Sequence, residues 1–286
     1  WRKGCFTSDT TDDTVCSTGW SDIGQTWSTP HTAFLSGYVD GGGNPKPVLV
    51  FGGGYDQCED TNNQTRCTGT RKGAGIWFVD ADTGAILRIY PTNCSVPGDV
   101  ALIKDINGNV TYVYAADSGG YVYRINVGTV DTTGTTFTSW TSNSNAGQIT
   151  LASLSETNHA RKFLNGPSVV PASDYNAVLI GSGDREHPLV SDYACGNRSS
   201  TLTPTAGNFV TNQFYMLMDK PTGYPSPAVT AGDLVDVTTG TSTTATVSGI
   251  TTITNVSAGV TTTSTKGWKF NYGFCEQSVN EALTIG

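Results

Sequence analysis

The chain has few charged residues and no long apolar run. Charged side chains make up 14% of its 286 residues, against about 25% in an average soluble protein. Acidic residues (24) outnumber basic ones (16), and the formal net charge of −8 disfavours nucleic-acid or anionic-membrane partners. No apolar run approaches the roughly 18 residues that a membrane-spanning helix needs, so we predict no membrane insertion.

Helical periodicity is almost absent as well. Threonine, serine, asparagine and glycine replace the missing charge, and these residue types suit exposed strands and turns. The apolar segments are short, rich in β-branched and aromatic residues, and bounded by Gly, Asp or Asn, as in 47–51, 75–79 and 110–115. The pattern predicts an all-β protein.

The seven cysteines are an odd number for a closed set of disulfides. Two pairs are close in sequence within polar loops that have little core to hold them, so we predict the disulfides Cys5–Cys16 and Cys58–Cys67. Zinc binding is disfavoured because there is no Cys-x-x-Cys pair and the three histidines are scattered. These features favour an oxidising, extracytoplasmic location. Because the chain starts at Trp1 without a signal-like segment, we expect a processed or excised piece.

Aromatic-rich hairpins recur along the sequence. A shift of 36 residues places Gly84, in the turn of one hairpin, on Gly120 in the turn of the next. A third turn, at 219–223, repeats the spacing of Asp, Thr and Gly found at 80–84. Such repeats predict β-propeller blades, about four or more in this chain. The last residues read as a strand without its partner, so we expect residues 1–286 to form one incomplete propeller domain.

Two segments fall outside the repeat, at about 128–149 and 228–265. Both are rich in Thr, Ser and Gly and poor in charge, and the second alternates with the period of a strand. We predict inserted Thr-rich hairpins. Exposed Thr-rich strands can serve as adhesive surfaces, although solvent-facing decoration is the simpler interpretation.

A cluster of charge follows the apolar run 177–180. Two glycines allow the backbone to turn, Pro188 prevents the strand from continuing, and the charged side chains can tie the turn to neighbouring strands. We therefore predict a structural corner. Its residues are Gly181, Gly183, Asp184, Arg185 and Glu186. Catalysis is the alternative, since Asp, Glu and His all move protons, but no nucleophile or metal-spaced partner stands beside them.

Several phrases, in order and spacing, resemble the C-terminal propeller domain of the type IV pilus tip-associated adhesins, the PilC/PilY family. They lie at 24–30, 48–56, 75–84, 113–124, 161–163, 181–188, 213–220 and 267–268. The resemblance implies an extracellular protein at the pilus tip or outer cell surface of a Gram-negative bacterium. It implies roles in pilus biogenesis, adhesion to host or abiotic surfaces and twitching motility, with minor pilins as partners. The family's separate N-terminal region is not in this segment.

The resemblance also implies a calcium loop just before the phrase at 113–117. Ca²⁺ loops need alternating oxygen ligands and a glycine at the sharp turn. The candidate ligands in this sequence are Asp105, Asn107, Asn109 and Thr111, with Ile103 at a further ligand position and Gly108 as the turn glycine. A second register puts Val110 where glycine is needed, and either register leaves one formal negative charge. The alternative is that Asn107-Gly108 forms the type I′ turn of a hairpin.

We expect no enzymatic activity. One alternative is a pyrroloquinoline quinone-dependent dehydrogenase, because the turn at 79–84 resembles that of its propeller repeats. Alcohol dehydrogenases of this type commonly place a vicinal disulfide against the cofactor, and no two cysteines are adjacent in this chain. The other alternative is a generic structural propeller from a surface protein.

Overall fold

The computed structural model describes residues 1–6, 13–59, 71–133, 136–141, 147–156, 160–184, 210–221, 227–273 and 276–284. These residues form strands and short 3₁₀ turns, with no helix long and apolar enough to cross a membrane. The strands are β1 (His31–Val39), β2 (Pro45–Gly52), β3 (Gly75–Asp80), β4 (Ile86–Pro91), β5 (Ala101–Lys104), β6 (Val110–Ala116), β7 (Tyr121–Asn126), β8 (Thr129–Thr133), β9 (Thr136–Thr141), β10 (Gln148–Ser153), β11 (Ser168–Pro171), β12 (Asn176–Gly181), β13 (Gln213–Asp219), β14 (Val235–Asp236), β15 (Thr241–Val247), β16 (Ile250–Ser257), β17 (Val260–Ser264) and β18 (Gly267–Asn271). The all-β class is confirmed.

Three of the sheets have the size of a propeller blade. Their strand orders are β1-β2-β3-β4, β10-β7-β6-β5 and β11-β12-β13-β18-β14. The second and third are interrupted by smaller Thr-rich elements, the hairpin β8-β9 and the three-stranded sheet β15-β16-β17, which lie in the two segments predicted as insertions. No sheet closes on itself within the described ranges. The blade-like sheets and inserted hairpins therefore match the predicted fold class.

The chain divides into two compact units. Among the described residues, the first comprises those within 1–59, 71–117 and 123–149, and the second comprises those within 118–122 and 150–284. In the first unit, β3 is buried along its whole length, and its sequence from Gly75 to Val79 is apolar rather than alternating. Trp77 of β3 packs against Trp20, with ring centroids 5.1 Å apart, and against Phe51. In the second unit, the Met216 and Met218 side chains pack against Val235 and Ile253.

A buried aspartate follows the second strand of each blade-like sheet: Asp56 after β2, Asp117 after β6 and Asp184 after β12. Asp56 accepts backbone N–H groups of Cys58 and Lys72 at 3.0 and 2.7 Å. Each aspartate belongs to a different phrase of the family resemblance. The three phrases therefore share a buried aspartate at differing distances beyond the end of a second strand, a similarity that sequence analysis missed.

Asp117 has the most enclosed of these carboxylates. Its Oδ2 accepts the backbone N–H of Cys94 and the hydroxyl of Tyr123, both at 2.9 Å. Burial, followed by the charge of Asp117, raises the pKa of Tyr123, so this hydroxyl stays a donor. One carboxylate thus accepts hydrogen bonds from both a loop amide and a strand side chain and joins the two segments.

The third strands also end in buried polar residues: Asp80 in β3, Asn126 in β7 and Asp219 in β13. Asp80 and Asp219 of the predicted turn match therefore occupy equivalent positions, whereas Thr222 and Gly223 lie outside the described residues. The predicted match of Gly84 with Gly120 does not join equivalent positions. Gly84 follows the third strand of its sheet, whereas Gly120 follows the second. Both are left-handed glycines in tight turns, which made the hairpins look equivalent.

Asp80 is the centre of a charged network in the first unit. Lys46 Nζ lies 2.5 Å from its Oδ2, the Tyr38 hydroxyl donates to the same oxygen, and the backbone N–H of Thr83 donates to Oδ1 at 2.7 Å. Burial raises the pKa of the Asp80 carboxyl, but the hydrogen bonds led by Lys46 outweigh it and hold the pKa well below its usual range. Burial and the bond to Asp80 raise the pKa of Tyr38 to about 12.

We predict that Asp80→Asn lowers the free energy of unfolding at neutral pH by about 2–3 kcal/mol, less than for a fully enclosed pair because Lys46 reaches solvent. Since the folded pKa is depressed, the contribution is complete above the unfolded pKa of about 4 and is lost as pH falls towards the folded pKa. Denaturant unfolding between about pH 5 and pH 2 should therefore show a flatter pH dependence in the variant. The exposed neighbour Asp82→Asn is the control. Equal slopes for wild type and Asp80→Asn would contradict this role.

Candidate functional site

The loop between β5 and β6 carries the four predicted calcium ligands. Its turn is closed by the Gly108 N–H, which donates to the Asp105 carbonyl at 3.0 Å, and by the Asp105 N–H, which donates to the Asn109 carbonyl at 2.8 Å. Gly108 has φ +83°, whereas Asn107 is not among the residues with positive φ. A type I′ turn needs positive φ at both central residues, so the predicted turn type is wrong. The loop is a type I turn followed by a left-handed glycine, with an irregular register beside it at Ile103 and Lys104.

The Asp105 carboxylate is directed into its own loop. Oδ1 accepts the backbone N–H groups of Asn107 and Asn109 at 2.9 and 2.8 Å, and Oδ2 accepts the Asn109 side-chain amide at 3.2 Å. These bonds, led by that of the Asn109 side chain, lower the pKa of Asp105. The Thr111 hydroxyl donates to the Ile103 carbonyl at 3.1 Å.

This donor set does not fit a calcium ion. Ca²⁺ takes six to eight oxygens and binds more tightly as carboxylates are added. Asp105 is the single carboxylate among the candidate ligands, and both of its oxygens already accept hydrogen bonds from the loop. The Asn109 amide presents an N–H to Asp105. Calcium binding remains a prediction from the resemblance alone.

The corner after β12 is tied to its surroundings by backbone hydrogen bonds. The Gly183 N–H donates to the Lys162 carbonyl at 3.0 Å, and the Asp184 N–H donates to Gln277 Oε1 at 2.7 Å. A Cβ on Gly183 would lie 2.2 Å from the Ser278 carbonyl oxygen, so the close approach of the two segments requires glycine.

Asp184 forms an enclosed ion pair with Lys162. The Lys162 Nζ and Asp184 Oδ2 atoms are 2.7 Å apart, and the side chains are only 3% and 1% exposed. Arg161 also points inward, donating to the carbonyls of Leu154 and Thr211. A charge pair shut away from solvent suits a structural link better than proton transfer to a substrate. Arg185 and Glu186 lie outside the described residues.

Of the four cysteines in the described part of the chain, three are disulfide-bonded. Cys5 and Cys16 form a disulfide. Cys58 is also disulfide-bonded, and the predicted partner Cys67 lies outside the described residues. Cys94 is buried beside Asp117. The one group of three potential metal-binding side chains in the described part of the chain is Cys5, Asp13 and Cys16, and its two sulfurs are already joined to each other.

The fold is similar to that in the crystal structure of the Pseudomonas aeruginosa PilY1 C-terminal domain. The TM-score is 0.53 at 19% sequence identity, and the match covers 93% of this chain and 55% of the other. The chain thus spans about half the length of that solved structure. No family model and no curated protein sequence matches the chain. The likeness establishes the fold. For the fold, it confirms the resemblance that the sequence motifs indicated.

The loop geometry predicts that Asp105 stabilises the hairpin without a metal. Asp105→Ala removes three hydrogen bonds made by the carboxylate, so its melting temperature should fall by the same amount in calcium and in chelator. Wild type should show the same melting temperature in both solutions. Calorimetric titration with Ca²⁺ provides the second readout. A calcium-dependent rise in melting temperature that Asp105→Ala abolishes would show that the loop does bind the ion.

Proposed function

We propose that the chain is the propeller portion of a type IV pilus tip-associated protein that acts without catalysis. The observation that carries this proposal is the agreement of two kinds of likeness. The ordered phrases run through nearly the whole chain, and the fold matches the PilY1 C-terminal domain over 93% of the chain. Three of the phrases also place a buried aspartate after the second strand of a blade-like sheet, which gives these phrases a shared structural role.

The chemistry of the buried charges supports a role without catalysis. Asp184 is paired with Lys162 and Asp80 with Lys46, while Asp117 accepts from Cys94 and Tyr123. Each of these carboxylates links one segment of the fold to another. These buried carboxylates therefore stabilise the fold. The exposed loops and inserted sheets are the surfaces that bind partners in this proposal.

In this proposal the protein works outside the cell, at the tip of the pilus. Its partners are minor pilins within the tip complex and, on the outer side, a host or abiotic surface. Pilus assembly requires the contact with minor pilins. Adhesion and twitching motility require the contact with the host or abiotic surface. The low proportion of charged residues suits recognition by shape and hydrogen bonding rather than by long-range electrostatic attraction.

Deletion of the gene in its source bacterium should abolish surface pili and twitching. Complementation with the wild-type gene should restore both, and Asp82→Asn should restore them as well, because that exposed side chain is outside the buried network. Electron microscopy of shed pili and a subsurface twitching assay provide the readouts. Affinity purification of the tagged protein should recover minor pilins. Normal piliation in the deletion strain, or a quinone chromophore bound to the purified protein, would contradict the proposal.

A further inference from the structure

Strand β15 is an open edge of the sheet β15-β16-β17. It pairs with β16 over all seven residues without a register shift, and no strand lies on its other side within the described residues. All seven of its side chains are exposed. Alternate residues of such a strand direct both backbone groups away from the sheet, so β15 offers a row of donors and acceptors for another strand.

The edge is held firmly although it is exposed. Thr246 hydrogen-bonds with Thr251 at 2.8 Å, and the Ser242 hydroxyl donates to Asn255 Oδ1 at 2.9 Å, both across the β15-β16 pair. Strand β16 is anchored in turn, because the Thr251 hydroxyl donates to Asp174 Oδ2 at 2.7 Å. The sheet is thus fixed through its middle strand, which in turn holds β15.

Three other edge strands carry features that block pairing. Strand β4 contains Arg88 and ends at Pro91, β5 has four residues and ends at Lys104, and β11 has four residues and ends at Pro171. Short length, charge and proline are the means by which proteins protect sheet edges. At the far side of the Thr-rich sheet, Ser264 of β17 donates to the Asp233 carbonyl, so the chain itself lies against that end. Strand β15 has no charge, no proline and no bulge.

The chemistry of β15 favours a second copy of the same chain as the partner. Each copy carries a net charge of −8, and two copies therefore repel unless the surfaces that meet are neutral. β15 and the facing residues of β16 carry no charge. The strand is also compatible with itself, because every side chain is small or β-branched, and threonine pairs stabilise antiparallel strands.

We propose that β15 pairs antiparallel with β15 of a second copy about a two-fold axis at Thr244. In this register Thr244 faces its own counterpart, Thr243 faces Ala245, Ser242 faces Thr246 and Thr241 faces Val247. The two sheets join into one of six strands. The contact is about 24 Å long at roughly 3.4 Å per residue, which places it among small, reversible interfaces. This inference does not depend on the proposed pilus function, and its test uses the purified chain.

Charge at the centre of the strand tests the pairing. Sedimentation velocity of the purified chain should show a monomer–dimer equilibrium that shifts towards dimer as concentration rises. Thr244→Lys places two like charges opposite each other and should raise the dissociation constant roughly fivefold to tenfold. Thr254→Lys on the middle strand adds the same charge away from the axis and should leave it unchanged. Added salt should partly restore dimerisation of Thr244→Lys, because it screens the repulsion.

Cross-linking tests the register itself. Cβ atoms of directly opposed residues lie about 5 Å apart, so Thr244→Cys should give a covalent dimer with a short bis-maleimide. Thr254→Cys should give no more dimer than the wild-type chain, which controls for the native cysteines. Circular dichroism confirms that each variant is folded. A chain that stays monomeric at all concentrations, equal cross-linking of the two variants, or an equal effect of the two lysines would overturn the proposal.

Discussion

Buried aspartates that satisfy strand ends are the constraint on which the sheets depend. Asp56, Asp117 and Asp184 each follow a second strand, where the chain leaves the sheet and its backbone groups lose their ladder partners. A carboxylate can accept several hydrogen bonds at once, so one side chain replaces several missing partners. The cost of burying the charge is offset only because each carboxylate is bonded or paired.

The glycine before Asp184 serves the same purpose. At Gly183, a side chain would collide with the Ser278 carbonyl oxygen, so the segment could not come close enough for the Asp184 amide to meet Gln277. Gly183 and Asp184 therefore combine close approach of two segments with hydrogen bonding of the polar groups there.

Sequence reasoning reached the all-β class and the inserted Thr-rich strands, because period-two patterns and turn residues report directly on strands. It placed the repeat one strand out of phase, since Gly84 and Gly120 make similar local turns at different positions in their sheets. It also missed the network of Tyr38, Lys46 and Asp80, whose members are up to 42 residues apart in sequence and meet only through strand pairing. The turn at Asn107-Gly108 was located correctly but given the wrong type, because dipeptide preference does not register the contribution of Asp105 as a hydrogen-bond acceptor.

The most direct test of the structural claim is the free energy of unfolding of Asp117→Ala. The substitution leaves the Cys94 amide and the Tyr123 hydroxyl without their shared acceptor inside the protein. We predict a loss of about 3 kcal/mol or more, against less than about 0.5 kcal/mol for the exposed Asp82→Ala. Similar small losses for both variants would show that the buried aspartates do not hold the sheets together.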